Sequence, residues 1–258
     1  MNTKTFTLIL TLVLSVFLTG CFQDFFVDGN GDVIEEVRTV PEFDAITSSG
    51  SFEVYYEYSD DIEVTVSCES NLMMYIETVV YEGELKIRTP YNVSIRPHEP
   101  IQVYVKGPYV NSLLLSGSGI IETDTIYNDQ LNVELSGSGR IETAYYGGNL
   151  TVSLPGSGEI VAFTSCDYTE AKISGSGDIK LEGFSDGASY KIPGSGLLYA
   201  ADLLVNEINA SISGSGTMYV YAIDYLEASI SGSGNIYYFG DPEVNASSSG
   251  SGNVIHKN

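Results

Sequence analysis

The sequence predicts an all-β chain wound into a parallel β-solenoid, and three observations predict it. The tripeptide Gly-Ser-Gly starts at Gly117, Gly137, Gly156, Gly175, Gly194, Gly214, Gly232 and Gly250, at intervals of 18 to 20 residues. A flexible linker has no reason to keep such a beat, whereas a fixed short period is the signature of stacked repeats. The aliphatic residues keep the same beat. Two positions before each core stand Leu115, Leu135, Leu154, Ile173, Ile192, Ile212 and Ile230, with Ser248 closing the series. Four positions after the first glycine stand Ile121, Ile141, Ile160, Ile179, Leu198, Met218, Ile236 and Val254. In an extended chain, side chains alternate with period two, so these residues and both glycines share one face. The serines take the other.

Each element follows from that pattern. A repeat of this length holds two or three short strands with their turns, which is one coil of a solenoid. Coils about 4.8 Å apart stack the aliphatic residues into ladders, and eight of them make a rod of roughly 35–40 Å. The glycines fit the buried side of a strand where the opposite wall leaves no room for a Cβ, or a bend that needs positive φ. Pro155 and Pro193 replace the serine before the core. Having no N–H, each should lose a ladder bond or place it at an edge. Ser49-Gly50-Ser51 reads as an earlier, degenerate copy. A β-propeller blade needs about 40 residues, which only pairs of these repeats supply, and leucine-rich repeats require their own leucine–asparagine pattern.

Residues 41–110 read as a β-rich N-terminal cap, continuous with the repeat coils of 111–258 in a single domain, since a solenoid needs an atypical end over its first coil. The stretches FEVYYEY, DIEVTVSCE, ELKIRT and IQVYVKG alternate as strands do. The segment Asn71–Tyr81 reads as one short helix with Asn71 as its N-cap. Ahead of the cap, Lys4 precedes an apolar run from Phe6 to Leu18, too short for a comfortable span and shaped like a secretory signal over residues 1–20. It ends in Leu18-Thr19-Gly20-Cys21, which resembles the bacterial lipobox. Cys21 is therefore the expected lipid attachment residue, and residues 21–40 the lipid-proximal tether and first strand. The membrane partner would be reached through that lipid alone. The location expected from this is the bacterial cell envelope. Cys68 and Cys166 lie far apart in this scheme and are expected to be unpaired thiols.

Charge excludes some functions. With 34 acidic and 11 basic residues the chain carries a formal charge of −23. Such a surface repels nucleic acid, so no nucleic-acid partner is expected.

The opening GNGDVIEEVRTVPEFDAI, the later IEVTV and GELKIRT, and the serial SGSG repeats together resemble the bacterial head GIN domain family, described as adhesins of the autotransporter type. The resemblance implies a right-handed parallel β-helix, export, and frequent lipid anchoring. It brings no catalytic residues with it.

Chemistry-bearing groups are sparse. His98 and His256 fall in peripheral segments, and no serine has a plausible His/Asp pairing. No phosphate loop or dinucleotide fingerprint is present, and no cofactor is expected. Three features merit attention. Asp28, Asn30 and Asp32 alternate as in a calcium loop, but no Glu follows at the twelfth position, which is Thr39. A polar turn is the plainer reading. Arg140, Glu159 and Asp178 occupy the same position of three successive coils. Glu159 and Asp178 would lie about 5 Å apart, like a glycosidase pair, or form a solvated charge ladder. Tyr199, Tyr219 and Tyr237 likewise align, with Tyr221 and Phe239 two residues beyond the last two. Bare aromatics in a column could stack on sugar rings, bury against a protein or a second copy, or merely stack across strands. The expected function is non-enzymatic: a lipid-anchored solenoid presenting a surface for adhesion or protein or glycan contact. The alternative is a carbohydrate-active enzyme or glycan-binding module using Glu159 and Asp178.

Overall fold

In the computed structural model, which describes residues 25–258, the chain forms a right-handed parallel β-solenoid with coils of about 19 residues. The cap strands are β1 (Phe25–Asp28), β2 (Val33–Arg38), β3 (Ala45–Ser49), β4 (Glu53–Tyr58), β5 (Glu63–Glu69), β6 (Glu77–Tyr81), β7 (Glu84–Arg88), β8 (Val93–Arg96) and β9 (Gln102–Gly107). The coils follow as β10 (Ser112–Leu115), β11 (Ile120–Leu135), β12 (Arg140–Leu154), β13 (Glu159–Ile173), β14 (Asp178–Ile192), β15 (Leu197–Ile212) and β16 (Thr217–Ile230). The last coil is broken into β17 (Asn235–Phe239), β18 (Glu243–Ser248) and β19 (Val254–His256). From β11 to β16 each repeat is one long bent strand of 14 to 16 residues, where two or three short ones were expected.

Both aliphatic ladders are in the core. The series from Leu115 to Ile230 and the series from Ile121 to Ile236 are each at most 2% exposed. The parallel register aligns them: Ile141 pairs with Ile160, Ile160 with Ile179, and Ile179 with Leu198.

The glycines face a different obstacle from the one expected. A Cβ on Gly175 would run into the backbone carbonyl of Gly156, one coil below, and the same holds at every core. The close neighbour is the preceding coil, and the opposite wall plays no part. From Gly139 onward, the second glycine of each core also makes room for an aliphatic side chain of the coil below, as Gly177 does for Leu154 Cδ2, 2.9 Å from where its Cβ would stand. None of these core glycines has positive φ. The ladder of backbone bonds therefore runs through the corner: Ser176 N–H donates to Gly156 O (3.2 Å) and Asp178 N–H to Gly158 O (3.0 Å). The prolines do not break it. Gly156 N–H donates to Leu135 O and Gly194 N–H to Ile173 O, both 3.2 Å, in place of the missing proline donors.

The degenerate copy at Gly50 is a true coil corner, because Gly117 stacks on Gly50 as later cores stack on each other. Strands β3 and β4 form this first coil. They lie between β10 and β11 on one side and β7 and β9 on the other, all parallel. Antiparallel β5 and β2 extend the sheet beyond β9.

The expected helix over Asn71–Tyr81 is absent. Only Met73–Tyr75 makes a 3₁₀ turn, and Glu77–Tyr81 is strand β6, antiparallel to β7. The β-branched Thr78, Val79 and Val80 favour strand. Glu82 and Gly83, both at positive φ, close the two-residue hairpin. Cys68 and Cys166 are buried and unpaired. Among the described residues no helix is long and apolar enough to cross a membrane.

Candidate contact surface

The parallel register turns any residue repeated once per coil into a stripe along the rod. It places the five predicted aromatics on two adjacent stripes. Tyr199, Tyr219 and Tyr237 align on β15, β16 and β17, with ring centroids 5.7 and 4.9 Å apart. They are half-buried, each covered by its neighbour, and Lys257 Nζ lies 5.1 Å from the Tyr237 centroid.

Tyr221 and Phe239 belong to the second stripe, which is longer than the sequence suggested. Its register runs Tyr127, Tyr146, Ser165, Phe184, Leu204, Tyr221, Phe239, one residue from each coil. Phe163 lies beside the serine gap, 6.5 Å from Tyr146. Tyr127 is 69% exposed, and Tyr146, Phe163, Phe184 and Leu204 are 37% to 46% exposed. An aromatic side chain carries 150–250 Å² of surface, so leaving half of it in water forgoes about 2 kcal/mol of burial per ring. The stripe is also more open than the first: Tyr127 and Tyr146 stack at 5.8 Å, yet their outer faces stay bare.

Sequence spacing missed its upstream members because register slips between coils. The pairing skips residues between Glu122 and Thr125, Lys180 and Glu182, and Ala200 and Leu204. Counting from the glycines therefore puts Tyr127 and Tyr221 at different offsets, although they share a stripe. The signal was an aromatic or leucine in the middle of every coil but one.

Glu159 pairs with Asp178 in register and lines an open, shallow groove with Arg140. The Arg140 guanidinium binds Glu159 and, at 2.8 Å, Glu142. The group reads as a charge ladder on an exposed face.

The Asp28–Asp32 turn does a structural job. Asn30 Nδ2 donates to Ser70 Oγ (2.9 Å), Asp32 N–H donates to Asn30 Oδ1 (3.1 Å), and Asn71 Nδ2 donates to Asp28 O (2.8 Å). Among the described residues no group of three His, Cys, Asp or Glu side chains is placed to hold a metal ion. The turn closes over the fully buried Glu69 carboxylate, which accepts the N–H groups of Gly31 (2.5 Å) and His98 (2.8 Å). Gly29 has no room for a Cβ because this carboxylate fills the space. Burial opposes the charge, but the amides of Gly31, His98 and Glu99 outweigh it and hold the carboxyl below its ordinary range.

A family model described as "Putative auto-transporter adhesin, head GIN domain" matches residues 42–184 and 149–242. The chain belongs to this family. Solved structures agree. A protein described as a putative lipid binding protein from Parabacteroides distasonis is 31% identical, with a TM-score of 0.85, over 90% of this chain and 100% of that one. A putative adhesin from Parabacteroides merdae is 26% identical, also at 0.85, over 91% and 100%. A putative adhesin from Bacteroides fragilis, at 22% identity and 0.70, over 90% and 100%, shares the fold. Comparison with the curated proteins finds no match.

Proposed function

We propose that this chain is a non-enzymatic, lipid-anchored solenoid of the bacterial cell envelope, and that it adheres to a protein or glycan through its aromatic stripe. The observation that carries the reading is the row from Tyr127 to Phe239, one residue per coil, whose members Tyr127, Tyr146, Phe184 and Leu204 are kept at the cost of unburied apolar surface. The family description and the Parabacteroides merdae relative, both worded as adhesins, support a contact role and with it the envelope. The Glu159–Asp178 alternative is less well supported, because Arg140 already binds Glu159. A charge of −23 also disfavours anionic lipid headgroups as the ligand.

The test is retention of protein-coated beads on an array of glycans and extracellular proteins. Replacing Tyr127, Tyr146, Phe184 and Leu204 together by Ser should abolish retention while the strand-type circular dichroism persists, since both aliphatic ladders stay intact. Unchanged retention would overturn the reading. The anchor lies outside the described residues and is tested separately: Cys21→Ser should move the protein from the membrane to the soluble fraction.

A further inference from the structure

A second feature lies where the cap meets the first long coil strand, ending at Asp124, three residues before Tyr127. The outward face of β2, β5, β9, β4 and β11 curls into a cleft of about 720 Å³, a size within the usual range of ligand sites. Its floor is a pair of stacked tyrosines, Tyr55 and Tyr104, with ring centroids 5.4 Å apart and planes within 20°. The rings are held in place from the side. Tyr55 Oη donates to Glu53 Oε2 (3.1 Å), Gln102 Nε2 donates to the same oxygen (3.0 Å), and Tyr104 Oη donates to Gln102 Oε1 (2.9 Å). Both hydroxyls donate within this network, and the ring faces left to a visitor are those the two tyrosines do not turn to each other. Tyr104 remains 40% exposed.

The walls carry one sign of charge. Glu35, Glu57, Glu63, Glu122 and Asp124 line the cleft against a single cation, Lys106, which lies 3.9 Å from Glu57. Aromatic faces attract cations through the ring quadrupole, and carboxylates around them add long-range attraction. A neutral apolar ligand would use the floor and gain nothing from the walls. An anion would be repelled by both.

We propose that this cleft binds a basic peptide segment, with an arginine or lysine side chain against the exposed Tyr104 ring of the stacked pair and its neighbours meeting the flanking carboxylates. The peptide chemistry follows from shape. The cleft crosses five strands and is open, so it suits an extended chain with several cations more than one enclosed amine.

The probe is fluorescein-labelled tetra-arginine amide, followed by anisotropy with the whole mature protein. Tyr104→Ser should weaken binding about tenfold, the scale of one desolvated cation–ring contact. Glu122→Gln with Asp124→Asn should weaken it comparably. Glu134→Gln with Asp241→Asn, which removes the same charge from exposed positions elsewhere, should leave it within about twofold. If Tyr104→Ser lowers the melting temperature, Tyr104→Leu, which keeps apolar bulk but removes the ring face, takes its place with the same expectation. Equal losses from the two charge pairs, or full binding without the Tyr104 ring, would reduce the effect to general attraction by an acidic protein and overturn the site.

Discussion

At the residue scale, the glycines of the Gly-Ser-Gly core set how closely coils approach. The carbonyl of Gly156 sits where a Gly175 Cβ would stand, and it is already accepting the Ser176 N–H. Adding one methyl group must push two coils apart or break that bond. Gly175→Ala should therefore destabilise by overpacking, about 1–3 kcal/mol. Ser176 is exposed, and Ser176→Val should change stability by about 0.5 kcal/mol or less. Chemical denaturation of the two variants checks this, and equal midpoints would refute the close approach. The same logic explains why two prolines are tolerated. The donor that proline lacks is supplied one residue later, by a glycine whose backbone can reach the same carbonyl.

At the element scale, Glu69 fastens the small sheet formed by β1 and β8 to the rod. Gly31 follows β1, His98 follows β8, and both donate to this one carboxylate on β5. Its carboxyl is held below the ordinary value, so its stabilising contribution is complete above about pH 4.3. That contribution is lost as pH falls through the lower, folded value. Hydrogen exchange should show the amides of Gly31 and His98 protected at pH 7 and released in acid, ahead of the coil amides. Glu69→Gln should release them already at pH 7, and the difference from the unaltered protein should vanish in acid. Elements differed in how far the sequence revealed them. The coils were legible because residues such as Leu154 and Ile160 repeat in fixed relation to the glycines. The helix expected over Asn71–Tyr81 gives way to strand because the turn at Glu82 and Gly83 folds Glu77–Tyr81 back onto β7. The stripe was half legible: Tyr221 and Phe239 pair without a register shift from the glycines onward, while Tyr127, Phe184 and Leu204 are tied to their neighbours across bulges that offset the count.

At the scale of the whole molecule, a solenoid adds contact area in proportion to its coils, and every coil repeats the same outward positions. A weak contact per coil becomes a strong one when several act on one partner at once. On the function proposed above, that gives a sense to an apolar stripe on a chain of charge −23: the acid keeps the rod soluble and leaves the stripe as the surface for contact. The measurement that bears most directly on this claim is hydroxyl-radical footprinting, free in solution and while held on the surface that captures it. Tyr91 and Tyr109, exposed on the cap at 94% and 64%, serve as internal references. The account predicts strong labelling of Tyr127, Tyr146 and Phe184 in the free protein and their protection in the bound state, with Tyr91 and Tyr109 unchanged. Equal labelling of the stripe in both states, with protection appearing elsewhere, would contradict it.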